Sequence, residues 1–370
     1  MKILVLTPAL YDTAPGQRFR IEQWARYLAR SDIQFTFSSF EDRSLHNRLY
    51  ATGQRGRKAV GVLRAVARRL GILRELRRYD AVFLYREAAA IGPAIVERLI
   101  ARSGIPLIYD FDDPIWIPYR SPSNGMWSRL KCPAKTATIC SLASVVIVGN
   151  RLLATYARRF ARNVHVIPST IDLERYPMGK PARVEGVATL GWTGSHSTLP
   201  FLVHVEGALK ALAAVRPFKL AVISNRRSYS IDGLGDRLVA RPWSAESEAG
   251  DLQDVEIGLA PFPSNGWTPW RCHGKVLQYM AVGAVPVASP VGVVSDYIDD
   301  GKTGFLAQSE ADWVERLCFL IDNPELRYEM GQAARATVES RYSAELWVPR
   351  VREIFEAAAD RRRVPDSAVR

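Results

Sequence analysis

The chain has 370 residues, 48% of them hydrophobic and 24% charged, a balance that suits two domains of ordinary size and excludes a disordered polymer. No apolar stretch approaches the roughly 20 residues that span a bilayer, and the longest, such as Leu142 to Val148, are strand-sized. The formal net charge of +12 favours an anionic partner without choosing among nucleotides, nucleic acid and membrane faces.

In chain order, Lys2–Thr7 reads as a first core strand rather than a signal peptide, since its apolar run is short and no small-residue cleavage site follows. Arg18–Ala29 has helical period through Phe19, Trp24 and Leu28, and Ile33–Ser38 reads as a second strand. Residues 57–78 form a long basic helical pattern, and Ala81–Leu84 is a strand. Ala89–Arg102 is read as a helix, Pro106–Tyr109 and Ala143–Val148 as strands, and Asn150–Arg159 as a helix. Repeated strand–helix–strand alternation points to a doubly wound parallel α/β sheet. Pro168–Gly186, rich in Pro, Gly and charge, has no period and reads as a linker. The alternation then restarts. Strands are expected at Val187–Trp192, Phe218–Ile223, Glu256–Ala260, Val285–Ala288 and Gly304–Leu306. Helices are expected at Lys275–Ala281, Glu310–Asp322 and from Pro324 to Ala359, followed by a frayed basic end at Arg361, Arg362, Arg363 and Pro365. Two open sheets in series leave a cleft, and ligands bind beyond the C-terminal strand ends. Cys132, Cys140, Cys272 and Cys318 match neither a zinc nor a CxxC spacing, so free thiols in a reducing cytoplasm are expected.

The densest chemistry runs from Pro261 to Gly292. A loop with Asn265, Gly266 and two tryptophans leads into His273-Gly274-Lys275 and a helix. A helix start with open N–H groups, a flexible glycine and a cation suits a diphosphate. Gln278 follows Lys275 by one turn, so both can reach one ligand. Gln278-Tyr279-Met280-Ala281-Val282-Gly283-Ala284-Val285-Pro286-Val287-Ala288-Ser289 resembles the donor-binding signature of family-4-type glycosyltransferases, E-A-M-A-x-G-x-P-V-V-A-S. In that family two glutamates seven residues apart flank a glycine-containing loop. Gln278 stands here for the second, which holds the donor ribose, and Trp270 for the first.

The resemblance implies two Rossmann-like domains facing across a cleft, the GT-B type. Residues 1–168 would form the acceptor side, residues 187–342 the donor side, and a helix within 343–360 would return to the first domain. It implies transfer of a sugar from a nucleotide-sugar to a glycan or lipid-linked acceptor in surface-polysaccharide or glycoconjugate biosynthesis, with retention and with neither cofactor nor divalent metal required. Donor-binding residues would be Trp270, His273, Gly274, Lys275, Val276, Leu277 and Gln278, with Lys275 also catalytic on the departing diphosphate.

Three further segments follow strands. Gly194-Ser195-His196, ahead of Ser197, would meet a diphosphate through backbone amides; its plain alternative is a turn capped by Ser197. Gly16-Gln17-Arg18, followed by Arg20, stands where the family brings a glycine loop toward the donor. No GxGxxG occurs, so a dinucleotide oxidoreductase finds no support. Asp110, Asp112 and Asp113 close a strand and admit two functional readings. One is a metal site like the D-x-D of GT-A glycosyltransferases. The other, which the resemblance favours, is a carboxylate orienting the acceptor hydroxyl, with Arg20, Arg86 and Glu87 on the same acceptor side. A pairing of Arg86 with an aspartate is the bland alternative.

Between Arg55 and Arg78 stand nine basic residues and one acidic one. Val60, Leu63, Val66, Leu70 and Leu73 share one helical face and Arg57, Arg64, Arg68 and Arg78 lie roughly opposite, so the apolar face is expected to pack inward. The basic face is then either merely solvated or laid on an anionic membrane, which would place the chain peripherally on the inner leaflet. No nucleic-acid module accompanies the charge. Two rivals remain: a nucleotide-sugar epimerase on the same fold, and a non-catalytic nucleotide-sugar binder motivated by Trp270 and Gln278.

Overall fold

A computed structural model describes residues 1–49, 55–118, 131–179, 186–226 and 228–363. Residues 180–185 of the expected linker, Pro365 and Arg227 lie outside them. The chain forms two compact units, Met1–Ser169 with Trp347–Arg370, and Thr170–Leu346.

The first unit is a parallel sheet of β1 (Lys2–Thr7), β2 (Gln34–Ser39), β3 (Ala81–Tyr85), β4 (Leu107–Phe111), β5 (Val145–Val148) and β6 (Val164–Val166), ordered β2-β1-β3-β4-β5-β6. Its central strands are buried on both faces, which is why they read as continuous apolar runs. One face is closed by Trp24, Ile21 and Leu28 together with Val351, Ile354, Phe355 and Ala358 of the last helix, Ala344–Arg363. That helix runs through Arg361–Arg363, where a frayed end was expected.

The basic helix, Arg55–Ile72, is rotated from its expected packing, so that of the expected inward face Val66 packs against the core while Val60, Leu63 and Leu70 do not. Val62 and Ala65 enter a small core with Phe40 and Leu45, while Val60, Leu63 and Leu70 are 47%, 66% and 42% exposed. The reason is Arg69, buried on the inner face. It donates from Nε to the Ala88 carbonyl at 2.9 Å, from Nη1 to the Ser38 carbonyl at 2.7 Å and from Nη2 to the Thr7 carbonyl at 2.5 Å. These carbonyls lie at or just beyond the ends of three strands, and a guanidinium satisfies them together. Burial lowers the Arg69 pKa to about 9.

The second unit repeats the architecture with β7 (Ala188–Thr193), β8 (Phe218–Ser224), β9 (Leu238–Pro242), β10 (Ile257–Ala260), β11 (Val285–Ala288) and β12 (Phe305–Leu306), ordered β12-β11-β10-β7-β8-β9 and parallel throughout. Trp192, Leu190, Leu220, Val222, Leu259, Val285 and Val287 line its core with Trp313 and Leu317.

Candidate functional site

In the second unit the winding reverses between β7 and β10, so the loops leaving these strands converge where open α/β sheets bind ligands. The loop after β10 ends at His273, whose φ of 47° and ψ of 39° lie in the left-handed region that side chains rarely adopt. This turn starts the helix Gly274–Ala281. Val276 donates its N–H to the His273 carbonyl at 3.1 Å, whereas no acceptor among the described residues takes the N–H of Gly274 or Lys275. Val276 and Leu277 have fully buried side chains, and the Val276 N–H is already engaged within the protein. The Tyr279 hydroxyl anchors the helix to both strands, accepting from Thr193 N–H at 2.9 Å and donating to the Leu259 carbonyl at 3.1 Å.

Lys275 is the anomaly of this unit. Its Nζ is buried, has no hydrogen-bond partner among the described residues, and lies 4.1 Å from the Trp192 ring centroid and 5.9 Å from that of Phe262. Burial, helped by the Arg271 charge, holds its pKa well below the ordinary lysine value. An unpaired buried ammonium is costly unless an anion arrives. His273 packs its ring 4.2 Å from the Phe262 ring, and half-buried Trp270 ends the preceding single turn Thr268–Trp270.

The loop after β7 differs from expectation. The Gly194 N–H goes to the Ile223 carbonyl at 3.1 Å and the His196 N–H to Asn225 Oδ1 at 2.8 Å. Two of the three amides expected to meet a diphosphate are therefore engaged within the protein. A side chain at Gly194 would strike the Trp192 ring at 2.6 Å and Thr198 Oγ1 at 2.7 Å, so only glycine lets the loop lie over the tryptophan that faces Lys275. Ser197 is not a cap; its hydroxyl meets that of Ser195 at 2.7 Å.

Gln278 is buried and donates from Nε2 to the Tyr176 hydroxyl at 3.2 Å. Tyr176 in turn donates to Glu248 Oε2 at 2.5 Å, and Trp243 Nε1 donates to Glu248 Oε1 at 2.8 Å. Sequence reasoning singled out none of Trp192, Tyr176 and Glu248; the contacts that link them to Lys275 and Gln278 are distant in the chain, so no local pattern marks them.

In the first unit the winding reverses between β1 and β3. Gly16 lies against the end of β3 and β4, where an added Cβ would strike the Tyr85 hydroxyl and come within 2.6 Å of Asp112 Oδ2. Gln17, expected to touch the donor, is fully buried and donates to Glu22 Oε1 at 2.5 Å and to the Ala9 carbonyl at 3.2 Å, holding the loop. Burial pushes the Glu22 carboxyl up to about 7, against the Gln17 bond. Arg18 is nearly buried, 3.7 Å from Asp12 and with its guanidinium 5.5 Å from the Phe19 ring centroid.

The three aspartates separate. Asp110 is wholly buried and takes the Arg20 guanidinium with both oxygens, which corrects its expected catalytic role and the expected acceptor-side role of Arg20 to a structural one. Arg86, with φ of 61°, meets Asp112 Oδ1 at 2.8 Å and Asp113 Oδ2 at 2.6 Å, and Tyr85 donates to Asp112 at 2.7 Å. Glu87 pairs with Lys135 at 2.7 Å. Arg86, Asp112 and Asp113 are thus brought together at one strand end, while Glu87 and Arg20 are held elsewhere. Among the described residues no group of three His, Cys, Asp or Glu side chains forms a metal-ligand cluster, and no helix is long and apolar enough to cross a membrane.

The chain is similar to known proteins in part of its sequence and in its fold. Residues 275–337 match the family model described as glycosyl transferases group 1. D-inositol 3-phosphate glycosyltransferase of Arthrobacter sp. (strain FB24) is 32% identical over 130 residues, 34% of this chain and 28% of that protein, so the match spans under a third of the relative. Sucrose-phosphate synthase of Thermosynechococcus elongatus superposes over 96% of this chain and 99% of its own with a TM-score of 0.68 at 15% identity. HepE of Anabaena, solved with UDP and glucose, does so over 96% and 100% with a TM-score of 0.65 at 16% identity. The chain has the GT-B glycosyltransferase fold. In this GT-B chain the family-model match begins at Lys275 and takes in Gln278 and the helix–strand unit that follows.

Proposed function

We propose that the chain is a glycosyltransferase moving a sugar from a nucleotide-sugar donor, bound by the second unit, to a glycan or lipid-linked acceptor in surface-polysaccharide or glycoconjugate assembly, with retention at the anomeric carbon and without a required metal. The observation that carries the reading is the buried, unpartnered Lys275 ammonium at a helix start on the sheet's switch point. A diphosphate supplies the charge that Lys275 lacks and the acceptors that the Gly274 and Lys275 amides lack. As the sugar–oxygen bond breaks, negative charge grows on the leaving diphosphate, and these fixed donors stabilise it most at that moment. In the first unit Asp113, held by Arg86, is the carboxylate assigned to orient the acceptor hydroxyl. The complex of HepE with UDP makes uridine diphosphate the first nucleotide to try.

The test is a thermal-shift panel of nucleoside diphosphates and nucleotide-sugars, with and without EDTA, followed by product analysis. One nucleoside diphosphate at 100 times its dissociation constant is expected to add about 2.7 kcal/mol of stability, with EDTA making no difference. Transfer is expected only with an acceptor present; conversion of the donor sugar alone would establish an epimerase instead. The absence of any shift would overturn the donor site.

The outward face of the basic helix supports peripheral attachment to an anionic membrane, now through a different surface from the one the sequence suggests. Val60, Leu63 and Leu70 form an exposed apolar stripe with exposed Arg57 and Arg64 alongside. A bilayer accepts the stripe at its headgroup–acyl boundary and anionic headgroups meet the arginines. Wild-type chain is expected to sediment with phosphatidylglycerol vesicles, and Leu63→Glu with Leu70→Glu to lose this while keeping nucleotide binding. Equal sedimentation of the double variant would exclude the apolar face.

A further inference from the structure

We propose that Glu248, acting through Tyr176, is a positioning residue that turns the Gln278 carboxamide so that its oxygen faces the ribose of the donor. The inference rests on the donor site proposed above and deepens it.

A glutamine carries one acceptor oxygen and one donor NH₂ group, and its second contact decides which of them a ligand meets. Here the second contact is the Tyr176 hydroxyl. A hydroxyl has a single proton. Glu248 is a carboxylate that only accepts, and its Oε2 sits 2.5 Å from the phenol oxygen, so that proton points to Glu248. Toward Gln278 the Tyr176 oxygen can then only accept. The NH₂ group must face the tyrosine, and the carboxamide oxygen must face away from it.

The surroundings keep this polarity fixed. Glu248, Tyr176 and Gln278 are 2%, 1% and 5% exposed, so water does not scramble the chain of bonds. Trp243 Nε1 holds the other Glu248 oxygen at 2.8 Å. Arg335 Nη1 donates to the Tyr176 carbonyl at 2.7 Å and to the Ala281 carbonyl at 2.5 Å, clamping the tyrosine to the helix that bears Gln278. The Gln278 oxygen has no partner among the described residues, and it stands one turn from Lys275 on the same helix. A neutral side chain is thereby made to present an acceptor, as a glutamate would, while the negative charge sits two hydrogen bonds away from Gln278.

The experiment reverses the polarity of the chain. Dissociation constants are measured by calorimetry for UDP, GDP and ADP and for their 2′-deoxy and 3′-deoxy forms. The readout is the ratio of deoxy to ribose constants for the nucleotide that the wild type binds. That ratio is expected to be about tenfold, the size of one hydrogen bond to a ribose hydroxyl. Glu248→Gln frees the Tyr176 proton and lets Gln278 flip, so the ratio is expected to fall to about twofold, with deoxy binding unchanged. Gln278→Glu alone sets two carboxylates against one phenol proton and is also expected to lower it. In the double variant Glu248→Gln with Gln278→Glu, the new amide donates to Tyr176 and still accepts from Trp243. Tyr176 then donates to the new carboxylate. The bond to Trp243 is kept and the two bonds through Tyr176 are reversed together, so the ratio is expected to return to within about threefold of wild type. A wild-type ratio in Glu248→Gln, or a double variant no better than Gln278→Glu, would overturn the proposal while leaving the donor site standing. Failure of the wild type to bind any of the nucleotides would instead overturn the donor site itself. Loss of packing alone lowers deoxy and ribose binding together and does not move the ratio.

Discussion

Lys275→Met is expected to fold at least as stably as the wild type and to lose nucleoside-diphosphate binding by a factor of about 10 to 100. In most buried ion sites the two losses travel together. Here they part, because Lys275 has no protein partner to abandon. Its Nζ faces the Trp192 and Phe262 rings and touches no acceptor among the described residues. Methionine fills similar volume, keeps contact with the rings and removes the desolvation penalty. The ligand side has no such compensation, since a charge-assisted bond to phosphate disappears. Turnover with saturating donor is expected to fall further than binding does, because the charge on the diphosphate grows toward the transition state. A stable Lys275→Met chain with wild-type affinity would remove Lys275 from the site. A markedly destabilised one would show that the lysine serves the fold.

The same residue sets a pH signature. Burial lowers the folded-state pKa of Lys275 well below the unfolded value. Between the two values the unfolded chain holds more protons than the folded one, so unfolding takes up a proton and stability rises with pH across that window. Lys275→Met should flatten that rise. A bound diphosphate acts in the opposite direction: it favours the ammonium, so binding takes up a proton and weakens as pH rises through the window. Calorimetry in two buffers of different ionisation heat reads that proton directly.

Much of the fold was legible because its central strands are buried on both faces and read as unbroken apolar runs, as at Lys2–Thr7 and Val285–Ala288. The two sheet-end strands that escaped notice show the converse. Val164–Val166 and Leu238–Pro242 are short, half-exposed and interrupted by His165, Arg241 and Pro242, as edge strands tend to be. Lys135–Leu142 has almost no amphipathic contrast, so its helix left no period to find. The basic helix buries only part of its apolar face for a specific reason. Hydrophobic patterning assigns every arginine to water, whereas Arg69 is buried to satisfy carbonyls that no pattern displays. The donor site divides in the same way. His273, Gly274, Lys275 and Gln278 lie within six consecutive residues and carry a recognisable motif. Tyr176 lies 102 residues from Gln278 and 72 from Glu248, and only the folded sheet brings them into one chain of hydrogen bonds.

Asp110 illustrates how a motif can point at the wrong member, and its substitution is the second large effect. Asp110→Asn is expected to destabilise the first unit by about 3–5 kcal/mol, because it strands a buried guanidinium without its counter-charge. Arg20 and Asp110 are both fully buried and doubly bonded to each other. Arg20 also lies 4.5 Å from the Trp24 ring centroid and donates to the carbonyls of Ile167 and Pro168, where the chain leaves the sheet of the first unit. Such a loss is a large share of the roughly 5–15 kcal/mol that holds a domain folded, and it should appear as a lowered urea midpoint of the first transition. At low temperature, where the variant remains folded, turnover is expected to stay within about threefold of wild type, since the carboxylate reaches no solvent and hence no acceptor. Asp113→Asn should shift the balance. Asp113 is 9% exposed and pairs with Arg86 at 2.6 Å, but Arg86 keeps Asp112 at 2.8 Å as a second partner, so the loss of Asp113 should lower the midpoint less than that of Asp110 and lower turnover more. An Asp110→Asn chain with an unchanged midpoint and no turnover would return the catalytic role to Asp110, because only a carboxylate exposed during the reaction could behave in that way.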